Sequence, residues 1–390
     1  MNALDESLDQ YLNKSTITIL TVKNAAFSPE DALNRRPIKG RGAAVNPPNR
    51  FDRIRHEADW EQWEGADELL PIEGSPSTEF LSDQSQTIIA RNNSPDIPFT
   101  YSINPYRGCE HGCAYCYARP GHETLGMNAG LDFESKIVVK FDAPRLLRRE
   151  LNHPQWTGEP ISMSGVTDCY QPAERKFRLT RSLLEVMNEA NQPVGIVTKN
   201  ALVVRDLDLL APMAARNLTR VFISITTLDA DLARKLEPRT TAPEARLRAI
   251  RTLTNAGIPV GVMVAPIIPG INDHQVPQIL EAAAQAGACT AGYVLLRLPL
   301  AVEPIFLAWL DIHYPLARPK VESLIRSMRS GDLYRSEFGR RMQGQGPYAD
   351  GLKNAFQVFA KKYGLDGSLP EFDTSQFRPP ALPGAQKRLF

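Results

Sequence analysis

The chain has 390 residues, of which 43% are hydrophobic and 23% charged. That is the balance of an ordinary globular protein with room for one large domain or two small ones. Its formal net charge of +1 supplies no global field for nucleic acid, although local patches remain open. No apolar run reaches membrane-spanning length, and the N-terminus lacks a basic-then-apolar signal pattern. A cytoplasmic protein with no membrane partner is expected.

Residues 1–75 read as a largely irregular, poorly ordered N-terminal extension. Ile17–Val22 is its one apolar run with strand character. Arg35, Arg36, Lys39, Arg41 and Arg50 lie among Gly and Pro residues that oppose regular structure. Such an arm is a candidate for phosphate contacts, with a solvated tail as the plainer reading. From Thr87 onward the pattern becomes regular. Phe99–Asn104 is a predicted strand ended by Pro105, and Ile137–Lys140 is a second short apolar run. Ala143–Leu151 is a predicted helix carrying Arg145, Arg148 and Arg149. Strands and helices then alternate: Ile161–Val166, Arg175–Ala190, Val194–Thr198, Asp206–Ala215, Val221–Ile225, Pro243–Ala256, Val260–Ala265, Gln275–Ala286 and Tyr293–Leu298. Doubly buried strands separated by amphipathic helices predict a parallel α/β sheet, curled by right-handed crossovers into a barrel or part of one. Residues 76–298 are expected to form this core. Residues 299–390 are expected to be a helical cap with a Pro-rich tail, with helices over Glu303–Ile312, Pro319–Met328 and Leu352–Tyr363.

Three of the five cysteines fall within eight residues, Cys109, Cys113 and Cys116, with spacing C-x3-C-x2-C. Thiolates clustered in a chain this long point to a metal site rather than a disulfide framework. Three thiolates on a [4Fe–4S] cluster leave one iron without a protein ligand. A structural zinc needs a fourth ligand, and His111, inside the same loop, is the available one. Gly108 and Gly112 permit the tight backbone such a loop requires.

The run Cys109-Glu110-His111-Gly112-Cys113-Ala114-Tyr115-Cys116-Tyr117 resembles the cluster loop of radical S-adenosylmethionine (SAM) enzymes. It is most similar to the spore photoproduct lyase-like, or DNA repair photolyase-like, branch. The resemblance runs from about Thr100 to about Leu298. It implies a partial (β/α)6 TIM-type barrel, a [4Fe–4S] cluster on the three cysteines, and SAM on the open iron. It also implies reductive cleavage of SAM to a 5′-deoxyadenosyl radical, and a reductant such as flavodoxin or ferredoxin.

Sites in such sheets lie at the carboxyl ends of strands, so the polar residues there are the candidates. Asp168 or Gln171 matches the position for the SAM amino group, with a turn or N-cap role for Asp168 as the alternative. Lys199 resembles the contact to the SAM carboxylate. Ser224 and Thr226 are candidates for its ribose or carboxylate. Arg239 or Arg246 is a candidate for a bidentate carboxylate contact, against a surface ion pair. Val264–Asp273 resembles the adenine-flanking strand, with Ile267 or Ile268 on the ring. Tyr115 and Tyr117 match two tyrosines thought to relay a hydrogen atom in the lyases. Ser164-Gly165-Val166 fills the slot of those enzymes' donor cysteine, and Cys169 lies on the far side of Asp168 instead. The resemblance thus leaves the donor either displaced, with Cys169 as the catalytic candidate, or absent. Trp156, Tyr170 and Tyr293 are aromatic residues able to stack on bases. Cys289, in a helix-to-strand turn, reads as a plain buried thiol. A nucleic-acid substrate is therefore one expectation. A peptide or small-molecule substrate, or a non-catalytic metal-binding module, are the alternatives.

Overall fold

The computed structural model describes residues 38–52 and 77–381. It contains ten strands: β1 (Glu79–Ser82), β2 (Ile89–Arg91), β3 (Tyr101–Ile103), β4 (Tyr106–Arg107), β5 (Lys136–Val139), β6 (Ile161–Met163), β7 (Val194–Thr198), β8 (Thr219–Ser224), β9 (Val260–Ile267) and β10 (Thr290–Leu295). The main sheet runs in the order β10-β9-β8-β7-β6-β3-β2. Its members from β3 to β10 are parallel, and β2 pairs antiparallel with β3. A small second sheet, β1-β5-β4, supports the segment that leaves β3.

This strand order has a simple consequence. The parallel strands follow one another in sequence, so right-handed crossovers carry every connecting helix to the same face. Met163, Ile196, Val221 and Val262 are fully buried there, in one core with Leu183, Met187, Leu210, Ile250 and Ile279 from the helices. Alternate residues point the other way. Ser162, Gly195, Val197, Arg220, Phe222 and Met263 border a cavity of about 770 Å3 on that second face.

The sheet is not closed: β2 and β10 are its two edges. Asp96, in the loop between β2 and β3, accepts from Gly339 N at 2.6 Å and lies 2.5 Å from the Arg341 guanidinium. The neighbouring Met342 carbonyl accepts from Leu295 N on β10 at 2.9 Å. An ion pair thus bridges the gap between the edges.

The predicted strands and helices of the core are present, with shifted ends. Ala143–Leu151 and Val194–Thr198 have the expected bounds. The expected helix Arg175–Ala190 is broken into Glu174–Phe177 and Leu179–Ala190, because Arg178 takes a left-handed conformation with φ 53°. β9 continues past Ala265 to Ile267 despite Pro266. The pairing with β10 shifts register between Tyr293 and Leu295, so the proline falls where the ladder skips. The C-terminal helices are Val302–His313, Arg318–Ser327 and Pro347–Lys362. The Pro-rich tail then runs beneath the amino ends of the strands. Asp373 N donates to Asn217 O and Arg378 N to Ala190 O, in the turns that enter β8 and β7.

The predicted strand Ile17–Val22 and Arg35 and Arg36 lie outside the described residues. Within 38–52 there is no helix or strand, yet Ala43 and Val45 are buried against Ile305. That part of the extension is packed in the protein rather than held loosely on it.

The helix Ala230–Leu236 escaped the sequence reading. Asp229 caps it, accepting from Asp231 N at 2.8 Å and Leu232 N at 3.2 Å. A cap of this kind satisfies amide donors that the first helical turn leaves free. Asp229→Ala should cost about 1 kcal/mol of stability, measured by urea denaturation; no change would mean that tertiary packing alone fixes this helix.

Candidate functional site

The three cysteines lie in the loop that follows β3 and β4, at the carboxyl end of the parallel sheet. Gly108 (φ 77°) and Gly112 (φ 64°) occupy the left-handed region at its bends. A Cβ on Gly112 would sit 2.7 Å from Glu134 Oε2. The hydrophobic side of the loop, Cys113, Ala114 and Tyr115, rests on Leu232, Leu236, Phe306 and Trp309. Ala114 N donates to Leu236 O at 3.0 Å.

Polar contacts fix the rest of the loop. Arg119 is fully buried and donates to Cys113 O at 2.8 and 3.1 Å and to the carbonyls of Ala129 and Gly130. Its charge is met by Glu134, which is also fully buried. The same carboxylate accepts from Gly42 N at 3.0 Å and Ala43 N at 2.8 Å. Gln171 accepts from Glu110 N at 2.9 Å and donates to Gly108 O at 3.2 Å.

His111 is buried, and both ring nitrogens face other partners. Nε2 lies 3.2 Å from Asn200 Nδ2, and Nδ1 lies 3.4 Å from Asp168 Oδ2. Asn200 Oδ1 already accepts from Leu202 N and the Thr241 hydroxyl, so its amide nitrogen is the donor and Nε2 the acceptor. Burial holds the ring's pKa below its ordinary value. His111 thus braces the loop and offers no lone pair to a zinc ion.

The thiols themselves suit a cluster. Cys109 and Cys113 are buried and Cys116 half-buried, and none is in a disulfide. Burial, then Asp168 and the other two sulfurs, pushes the Cys109 thiol well up; burial leads for Cys113 and Cys116 too. Redox cysteines need the reverse, a stabilised thiolate. Only a bound cation would hold these three deprotonated. Each thiolate of an iron–sulfur cube meets its own iron, so three free thiols on one loop, with the His111 nitrogens engaged elsewhere, fit the donor set of a cluster.

At the neighbouring strand ends, Lys199 Nζ lies 3.0 Å from the Ala265 carbonyl, 3.9 Å from Glu237 Oε1 and 5.8 Å from the Tyr115 ring centre. Glu237, which the sequence reading passed over, is the hub of this region. It accepts from Tyr115, Arg246 and, at 2.6 Å, Thr226. Burial alone would raise its carboxyl, but Arg246 and Lys199, with the hydroxyl donors, outweigh burial and hold it at about 2. Ser224, at the end of β8, is buried, and its carbonyl accepts from Arg246 at 2.9 Å.

Other candidates are engaged elsewhere. Asp168 accepts from the Thr198 hydroxyl at 2.7 Å, Lys199 N at 2.8 Å and Tyr170 N at 2.9 Å, which is a bracing role. Arg239 lies 3.2 Å from Glu110 Oε1 and 3.3 Å from the Thr78 hydroxyl. Cys169 is fully buried in the main core. Tyr117 is 48% exposed, and its hydroxyl donates to Gly165 O at 2.7 Å, in the slot where the lyases are expected to hold their donor. Tyr170 donates to Asp206, Tyr293 packs on Phe356, and Trp156 packs on Tyr101, so none is free to stack on a base. Cys289, expected to be buried, is exposed at the turn into β10, with its Sγ 3.3 Å from Val260 O. The basic arm and helix are also paired: Arg41 with the Glu134 carbonyl at 2.5 Å, Arg50 with Glu123, Arg145 with Asp142 and Arg148 with Glu189.

The sequence profile of the Radical SAM superfamily matches residues 103–283, which hold the cysteine loop and the strands through β9. The chain belongs to the radical SAM superfamily. The superfamily's cofactors are a [4Fe–4S] cluster and SAM. An uncharacterized protein of Mycobacterium tuberculosis is 36% identical over 236 residues, covering 60% of this chain and 69% of that protein. One from Methanocaldococcus jannaschii is 35% identical over 173 residues, 44% of this chain and 62% of its own length. Among solved structures, spore photoproduct lyase complexed with dinucleoside spore photoproduct superposes with a TM-score of 0.52 at 19% identity, over 75% of this chain and 85% of that one. A likeness at that identity speaks to the fold alone. Among the described residues no helix is long and apolar enough to cross a membrane.

Two outcomes check this architecture. Glu134→Gln strands the buried Arg119 charge and should cost about 3–5 kcal/mol in urea denaturation, with iron lost on desalting. A stable, iron-replete variant would remove Glu134 from the account. Because the Glu237 carboxyl is depressed, its contribution to stability is complete above about pH 4.5 and fades as pH falls through about 2. The stability gap between wild type and Glu237→Gln should therefore narrow across that interval; a constant gap would contradict the assignment.

Proposed function

We propose that this protein is a radical SAM enzyme in which Cys109, Cys113 and Cys116 hold the [4Fe–4S] cluster and the strand ends beside them hold SAM. The main support is the three-thiol loop, buried at the carboxyl end of a parallel sheet and braced on every side. The sequential strand order, one-sided helices and open edges support reading the sheet as a partial six-repeat barrel. When bound, cluster and SAM supply an electron transfer that splits SAM into methionine and a 5′-deoxyadenosyl radical, which takes a hydrogen atom from the substrate.

The chain's own residues have distinct tasks in this reading. Lys199 presents an ammonium to the SAM carboxylate, held in place by the Ala265 carbonyl and by Glu237 on its far side. Ser224 offers a hydroxyl at the adjoining strand end. Asp168, His111, Gln171, Arg239 and Arg246 act as positioning residues, since their polar atoms are spent on the loop and the strand ends. Ile267 and Ile268 are buried and available as an apolar wall for the adenine. The electron comes from a small redox protein such as flavodoxin or ferredoxin, in the cytoplasm.

The reaction differs from one that returns hydrogen from a cysteine in the lyase position. Ser164 stands there, and Cys169 is enclosed in the core. Tyr117, bonded to the Gly165 carbonyl, is the oxidisable side chain that remains at that place. Pairing of the described arginines of the arm and early helix weakens the case for a long nucleic-acid footprint.

Reconstituted protein with reductant and SAM should release 5′-deoxyadenosine and methionine, read by chromatography. Ala at any of Cys109, Cys113 or Cys116 should abolish release and iron binding, whereas Cys169→Ala should retain iron. Loss of iron in Cys169→Ala equal to that in Cys113→Ala would overturn the three-ligand site.

A further inference from the structure

The cavity of about 770 Å3 on the helix-free face of the sheet is within the usual range for small-molecule sites. Its lining combines ring surfaces, among them Phe222 and Phe372, with two cations, Arg91 and Arg220. Among the described residues neither guanidinium makes a hydrogen bond or an ion pair. Arg91 is exposed. Arg220 is half-buried on β8, and its guanidinium carbon lies 4.2 Å from the centre of the Phe372 ring. Burial lowers its pKa, and no acidic neighbour offsets that effect.

The buried or half-buried Arg119, Arg205 and Arg246 each meet a carboxylate, and Arg216, Arg297 and Arg329, which do not, donate to amide, sulfur or carbonyl acceptors. Among the described residues Arg220 has neither kind of partner. A planar fork of donors that is partly removed from water costs free energy unless an acceptor fills it. Glu159 is the acidic residue on the lining; it is exposed and pairs with neither arginine. The cavity has space as well as charge. A Cβ on Gly195, in the middle of the lining, would meet only Phe372 Cζ, at 3.8 Å.

We propose that this cavity is the substrate chamber and that Arg220 recognises an anionic group on the substrate, a phosphate or a carboxylate, while a flat ring lies against Phe222. The chamber assignment rests on the radical SAM reading; the anion preference rests on the cavity itself. Arg220 lies four residues before Ser224 on the same strand, which places the anion roughly 13 Å from the carboxyl-end chemistry. The substrate is then a molecule whose charged end and reacting carbon are separated by about that span. Its ring bridges the two, and the shared requirement is the anion rather than any one headgroup.

The test is calorimetric titration of the reconstituted protein, with SAM present, using thymidine 5′-monophosphate, benzoate and uncharged thymidine. Wild type is expected to bind at least one of the two anions, and thymidine at least tenfold more weakly. The anion that binds identifies phosphate or carboxylate as the group recognised. Arg220→Gln should weaken that binding tenfold or more, and Arg220→Lys should recover part of it. Gly195→Leu fills the chamber with the charge intact and should also abolish binding, which separates occupancy from any folding defect in the Arg220 variants. Binding of neither anion by wild type, or equal binding by wild type and a folded Arg220→Gln, would overturn the proposal. Iron content and SAM binding measured on the same samples report separately on the radical SAM reading.

Discussion

The Glu134 carboxylate is the point on which the cysteine loop hangs. One oxygen faces the buried Arg119, and the two together accept the amides of Gly42 and Ala43. Arg119 in turn grips the carbonyl of Cys113. A chain of charge-assisted hydrogen bonds therefore runs from the N-terminal segment to the middle cysteine, with no water-exposed step. Such bonds are strong in a buried setting, and each partner left alone would be costly. The arrangement lets a short, glycine-bent loop keep a fixed shape while presenting three sulfurs that burial keeps neutral on their own.

The same logic extends across the strand ends. Glu237 gathers Tyr115, Thr226, Arg246 and Lys199 around one depressed carboxylate. Asp168 gathers Thr198, the Lys199 amide and His111. Asp168 comes from the turn that follows β6, and Glu237 from the C-terminal end of the helix Ala230–Leu236 that follows β8, both on the carboxyl-end side of the sheet. The protein thus spends most of its polar side chains near the loop on holding other side chains. Tyr117 is the side chain there that is half exposed. Arg220 stands apart at the other end of the same face.

Much of the fold was legible in the chain, because doubly buried strands and amphipathic helices repeat with clear periods. The cysteine loop was legible from spacing, and its neighbours Lys199 and Ser224 from their places at strand ends. Short edge elements were not. β1, β2 and β4 hold two to four residues each, too few to show a period. The supporting network was hidden for another reason: Glu134, Asn200 and Glu237 meet their partners through contacts between distant parts of the chain, which no local pattern encodes. Arg41 shows the hazard. Among glycines and prolines it reads as a phosphate-seeking arm, yet it is buried, donating to the Glu134 carbonyl. Asp168 and Arg239, plausible ligands by position, turn out to be occupied.

The central claim is that the loop carries a cluster with one iron open to SAM. The most direct measurement is the low-temperature EPR spectrum of the anaerobically reconstituted, reduced protein, recorded with and without SAM. The account predicts a [4Fe–4S]+ signal whose shape and g values change on SAM addition, in wild type and in Cys169→Ala alike. A reduced-cluster signal that SAM leaves unaltered, or a colourless, EPR-silent protein that binds zinc in place of iron, would contradict it.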